Sequence, residues 1–139
     1  MDDRSATESL TLNALRIVTG VLFWQHGAQK LLGWLGGDQV GSVLSMMGVA
    51  GVLEFFGGIL VAVGLFTRPV AFVLAGEMAV AYFLAHVGGG ETLMARLFPI
   101  MNAGEPAVLF CFVFLLLTAF GPGRFSVDGW MQRRGSPAA

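Results

Sequence analysis

The stretch from Met47 to Phe66, MGVAGVLEFFGGILVAVGLF, is joined by Thr67-Arg68-Pro69 to VAFVLAGEMAVAYFLAHV, which ends at Val87. A helix that crosses a membrane needs about 20 predominantly apolar residues. Both runs come to that length, and each admits one carboxylate, Glu54 in the first and Glu77 in the second. Proline suits the first turn of a helix, so the second helix is expected to start at residue 69. So short a connection makes the two helices antiparallel neighbours.

Two further apolar runs flank this hairpin. Residues 12–35 are the more polar, holding Arg16, Gln25, His26, Gln29 and Lys30. Residues 105–120 open with Glu105-Pro106 and stop at Gly121-Pro122-Gly123, which cannot continue a helix. The runs are too unbroken for the alternating pattern of a membrane β-barrel. The expected fold is all-α: an integral membrane four-helix bundle with helices at 12–35, 47–66, 69–87 and 105–120, residues 1–139 forming one domain. Small residues recur where helices must touch, at Gly51, Gly57, Gly58 and Gly64 and at Ala71, Ala75 and Ala79. Such spacings let backbones approach where lipid removes the hydrophobic drive. A faint echo links Gly20-Val-Leu-Phe-Trp-Gln-His-Gly27 to Gly51-Val-Leu-Glu-Phe-Phe-Gly-Gly58, too weak to read as a repeat.

Composition agrees. Of 139 residues, 55% are hydrophobic and only 12% charged, against roughly 25% charged in soluble domains, and the mean hydropathy is +0.75. A disordered chain and a disulfide scaffold are excluded, and without a basic patch nucleic acid is no partner. The lone Cys111, between Phe110 and Phe112, reads as a small hydrophobe. The N-terminal Met1–Glu8 stretch is acidic, unlike the basic start of a cleavable signal, so the first apolar run is expected to stay as an anchor. With four spans, Arg4, Arg16, Arg68, Arg124, Arg133 and Arg134 fall on one side and only Lys30 and Arg96 on the other. The positive-inside rule then puts both termini in the cytoplasm of a multi-pass bacterial inner-membrane protein. Trp34 and Trp130 suit interfacial anchors.

The informative residues are the polar ones inside the spans, where charge is costly. Depths counted at about 1.5 Å per residue bring His26, Gln29, Lys30, Glu54, His86, Asn102 and Glu105 to one layer in the outer half. Tyr82 lies on one stripe of the third helix with Met78 and His86. Glu77 is nine residues from His86, about 180° around an ideal helix, so the two are expected on opposite faces, with Glu77 turned toward Arg16. One reading of the layer is a buried ion-pair network, Lys30 with Glu54 or Glu105, that fixes helix register. Another is a polar pocket for a quinone headgroup and its protons, since His, Lys, Tyr and Glu supply donors and a proton path. Metal or haem ligation by His26 and His86 is a third, although two ligands make no defined set and no metal site is assigned.

Several motifs resemble the DoxX family of small four-helix bacterial membrane proteins. They are Arg16-x3-Gly20, His26-Gly27-Ala-Gln-Lys30-Leu, Glu54-Phe-Phe-Gly57-Gly58, Gly64-Leu-Phe-Thr-Arg68, Asn102-Ala-Gly-Glu105 and Gly121-Pro-Gly-Arg-Phe-Ser-Val-Asp128. The resemblance spans nearly the whole chain in the right order. It implies a link to membrane-bound oxidoreductase assemblies, the family's namesake being a subunit of a thiosulfate:quinone oxidoreductase, and it picks out His26, Lys30, Glu54 and Glu105. The expected function is the membrane subunit of an oxidoreductase complex with a quinone-facing pocket, quinone being the expected cofactor. His26, Gln29, Lys30, Glu54, Tyr82, His86 and Glu105 would bind the ligand or relay protons. The alternative is a non-catalytic structural subunit of a respiratory or photosynthetic complex. A small transporter fits least, with no broken helix or inverted repeat in view. Expected partners are membrane lipid and either other subunits or further copies of the chain.

Overall fold

The computed structural model describes residues 3–135. Met1, Asp2 and the Arg4 side chain, all invoked above, lie outside the described residues. Six α-helices and no strand occur among the described residues: α1 Asp3–Leu32, α2 Met46–Val63, α3 Thr67–Ala81, α4 Leu93–Leu97, α5 Glu105–Phe120 and α6 Val127–Gly135. A π-helical segment, Tyr82–Val87, prolongs α3. Two helical stretches are long and apolar enough to cross a membrane, Met46–Val63 and Thr67–Val87, whereas α5 is apolar but has 16 residues.

The apolar runs locate the helices, and local chemistry sets their ends. Gly33, left-handed at φ 65°, stops α1 three residues before the expected end. Ser45 caps α2 by accepting from the Gly48 N–H at 3.0 Å. Gly64, at φ 75°, ends α2 three residues before the expected end, its N–H donating to the Leu60 carbonyl at 2.9 Å. The α5 boundaries fall where the Glu-Pro start and Gly-Pro-Gly stop put them. Helix α1 begins nine residues before the expected start, because hydropathy marks the apolar part of a helix and not its polar first turns. The short α4 and the tail helix α6 carry no membrane-length apolar run and were not expected.

Helix α1 packs antiparallel on α2, α2 on α3, and α3 on α5. The α1–α2 seam is nearly backbone on backbone. A β-carbon added to Gly58 would lie 2.5 Å from the Trp24 nitrogen, and one on Gly20 would lie 2.7 Å from the Gly58 carbonyl oxygen. Gly27 sits against the Phe55 backbone and Gly51 against Lys30 and Leu31. The echo between residues 20–27 and 51–58 therefore marks two faces that pack together. Beyond the seam, Phe23, Val61, Leu74, Phe114 and Leu117 form the core. Outward, Val18, Phe56, Phe72, Leu109 and Phe112 are exposed, while Arg16 is only 1% exposed. Apolar outside and charge inside is the reverse of a soluble protein's distribution.

Arg16 does not meet Glu77, contrary to expectation. Its guanidinium donates to the carbonyls of Val61 at 2.8 Å, Ala62 at 2.5 Å and Phe125 at 2.7 Å. It thus satisfies last-turn carbonyls of α2 that a helix end leaves open. Asp128 does the reciprocal work for α3, accepting from the N–H groups of Phe66 and Thr67, each at 2.9 Å. That anchors Phe66 in the left-handed region at φ 50°, which non-glycine residues seldom adopt. Asn13 accepts from the Phe125 N–H at 3.1 Å. Arg16, the Gly64-Leu-Phe-Thr turn and the Arg124–Asp128 tail together form one latch. Asp128→Ala is expected to destabilise the protein by about 2 kcal/mol, since it removes two charge-assisted bonds at a helix start. Asp128→Asn, which keeps one acceptor, should lose less; melting curves in mild detergent would compare them.

Candidate functional site

At the other end of the bundle, α1, α2, α3 and α5 diverge around a cavity of about 550 Å³. Four of the expected polar residues line it: His26, Lys30, Glu54 and His86. Lys30 and Glu54 form an ion pair through Glu54 Oε1, with the Glu54 side chain 3% exposed and that of Lys30 23%. Glu54 reaches this depth because it shares the glycine face of α2 with Gly51, Gly57 and Gly58, all buried. Its second oxygen, Oε2, has no hydrogen-bond partner among the described residues. One turn before Lys30, His26 stands edge-on to Phe110, ring centroids 6.0 Å apart at 88°. Apolar walls come from Phe23, Leu53, Met78 and Phe110.

A fifth polar residue joins them. Glu77 lines the same cavity as His86, and both its carboxylate oxygens are buried without a partner among the described residues. Ideal α-helical geometry would set the two on opposite faces. The π-helix over Tyr82–Val87 changes that. Wider i→i+5 turns take up an extra residue, and one residue is about 100° of rotation, so His86 swings back toward the face of Glu77. Of the stripe Met78, Tyr82 and His86, the first and last line the cavity and Tyr82 does not. Met78 packs in the core, and Tyr82 turns to Gly104, where an added β-carbon would lie 2.7 Å from its ring.

His86 is held from outside. Its Nδ1 donates to the Asn102 carbonyl oxygen at 2.9 Å, since a carbonyl can only accept, which leaves Nε2 as the ring nitrogen not engaged by Asn102. Tyr82 stacks on the imidazole with centroids 6.3 Å apart at 29°. Asn102 Oδ1 accepts from the Gly104 N–H at 2.9 Å. His86 also lines a second recess of about 370 Å³, bounded by Gly89, Gly90, Glu91, Thr92 and Asn102. One imidazole therefore stands between an apolar chamber and a polar vestibule.

Three expected residues take other places. Gln29 donates to the Leu35 carbonyl at 3.2 Å and packs against Gly37, so it organises the loop after α1. Tyr82 braces His86 without lining the cavity. Glu105 is exposed at the first turn of α5, does not line the cavity, and leaves Glu54 as the partner of Lys30. Among the described residues no three His, Cys, Asp or Glu side chains gather as metal ligands. The signal for Glu77 was its presence as a carboxylate mid-span, and only its facing was hidden.

The chain is similar in sequence to known proteins. The sequence model of the DoxX family matches residues 11–87. An uncharacterized protein of Haemophilus influenzae is 44% identical over 119 residues, covering 82% of this chain and 85% of the relative. The inner membrane protein YqjF of Escherichia coli is 29% identical over 137 residues, covering 91% of this chain and 96% of the relative. No solved structure matches.

Proposed function

Because this chain belongs to the DoxX family of membrane proteins, we propose that it is a membrane subunit of an oxidoreductase complex whose cavity takes a quinone headgroup. The observation that carries this reading is the cavity itself: an apolar chamber with an ion pair, two histidines and an unpartnered carboxylate on its walls. Its volume lies in the range of small-molecule sites, about 300–1,000 Å³. In this reading α1, α2, α3 and α5 span a bacterial inner membrane, the location stated in the name of the E. coli relative. Arg68, Arg124, Arg133 and Arg134 mark the cytoplasmic end with both termini, and Lys30 and Arg96 the outer end.

Reduction of a quinone adds two electrons and two protons, one proton at each carbonyl oxygen. The electrons come from a partner redox subunit. Lys30, steadied by Glu54, donates to one carbonyl oxygen, and His26 flanks it. Glu77 holds a proton within the chamber. His86, which borders the vestibule, exchanges protons with the outer aqueous phase. Phe23 and Phe110 supply ring contacts, and the other apolar walls accept the isoprenoid tail.

The test is lipid extraction from the purified protein. Near-stoichiometric quinone is expected with the wild type. Ala50→Trp, which fills the chamber from α2, is expected to lower it at least ~10-fold, the scale of ~1.4 kcal/mol of binding. Equal quinone in both proteins would refute the pocket.

A further inference from the structure

We propose that the latch end of the protein carries a binding site for the phosphate of an anionic phospholipid. Arg68, Arg124, Gln132 and Arg133 line a groove of about 610 Å³ between the start of α3, the Gly121–Arg124 turn and α6. Three arginines thus line one volume, and no Asp or Glu is among the residues that line it. Asp128, next to Gly129 of the groove, is committed to the backbone of Phe66 and Thr67.

The arginines are placed by the fold. A β-carbon on Gly121 would lie 3.0 Å from Arg68 Nε, so glycine there lets that side chain lie along the turn. Arg133 Nη1 donates to the Arg124 carbonyl at 3.0 Å, which fixes α6 against the turn and leaves its other nitrogens to the groove. A planar fork of donors suits a phosphate. Phe120 lines the same groove and is 70% exposed, with exposed Phe125 and Trp130 in the adjoining segment. Cationic donors beside exposed aromatic rings fit a phosphate that carries acyl chains better than a free one. Basic pockets on the cytoplasmic side of membrane proteins bind such head groups. The inference rests on the membrane placement proposed above and not on the quinone.

The experiment is native mass spectrometry of the full-length protein in mild detergent, titrated with phosphatidylglycerol or phosphatidylethanolamine, with and without millimolar inorganic phosphate. Phosphatidylglycerol is expected to bind preferentially, to resist inorganic phosphate, and to weaken about fivefold in Arg68→Gln and again in Arg133→Gln. Arg68→Lys should retain most of the binding. Gln132→Glu, which adds a charge at an exposed residue, should weaken binding without relying on removal of an arginine. Equal binding of the two lipids, or variants that bind as the wild type does, would overturn the proposal. Displacement by inorganic phosphate would assign the groove to a free phosphate instead. Quinone retained by a protein without lipid preference would sink this inference alone.

Discussion

Lys30→Met is expected to be among the most damaging single substitutions in the protein. It removes the partner of Glu54, whose side chain is 3% exposed, and leaves a charge in the bundle without compensation. Breaking one side of a buried pair costs about 3–5 kcal/mol. Replacing both sides with apolar groups costs far less, because no orphan remains, so Lys30→Met/Glu54→Leu should recover most of the stability. A double-mutant cycle of melting curves in mild detergent measures the coupling. The quinone assay then separates packing from binding. If the pair only holds helices together, the double variant regains stability and keeps its quinone. If Lys30 contacts the ligand, the double variant is stable and empty. A Lys30→Met protein as stable as the wild type would mean that water already reaches Glu54.

The second large effect lies on the α1–α2 seam. Gly20→Ala adds one methyl group, and the nearest atoms are the backbone nitrogen of Ala62 at 2.5 Å and the carbonyl oxygen of Gly58 at 2.7 Å. Backbone cannot rotate away as a side chain can, so the helices must part. The expected cost is at or above the upper end of the ~1–3 kcal/mol usual for overpacking. Gly27→Ala meets the Phe55 backbone and should behave alike. The control is Gly76→Ala on α3, where an added β-carbon meets nothing within 4 Å; it should be neutral or gain up to ~1 kcal/mol from helix propensity. Comparable melting temperatures for Gly20→Ala and Gly76→Ala would show that the close approach is not a determinant of stability.

Much of the site was legible because helical neighbours are a local matter. His26 and Lys30, four residues apart, share a face by the geometry of any α-helix, and both line the cavity. Glu54 could be paired with Lys30 because its flanking glycines mark the face that meets another helix. Glu105 misled because depth alone puts it in the right layer; its position at the first turn of α5 leaves it exposed. Gln29 lies next to Lys30 and is turned by about 100°, enough to take it to the loop. An unbroken α-helical period puts Glu77 and His86 on opposite faces, but the winding changes over Tyr82–Val87 and both line the cavity.

An all-helical chain, the apolar runs that become α1, α2, α3 and α5, the small residues that let them touch, and the polar layer near one end are all readable from local sequence. Those features depend on composition and on spacings of three, four and seven residues, which one helix carries alone. It takes the packed bundle for Arg16 to close the end of α2, for Asp128 to start α3, and for Glu77 and His86 to share a chamber. The first two contacts join residues 45 and 62 positions apart, and the third depends on how far one segment is unwound. Their partners are chosen by which carbonyls and N–H groups the packed helices leave unsatisfied, and those groups are defined only once the bundle has closed.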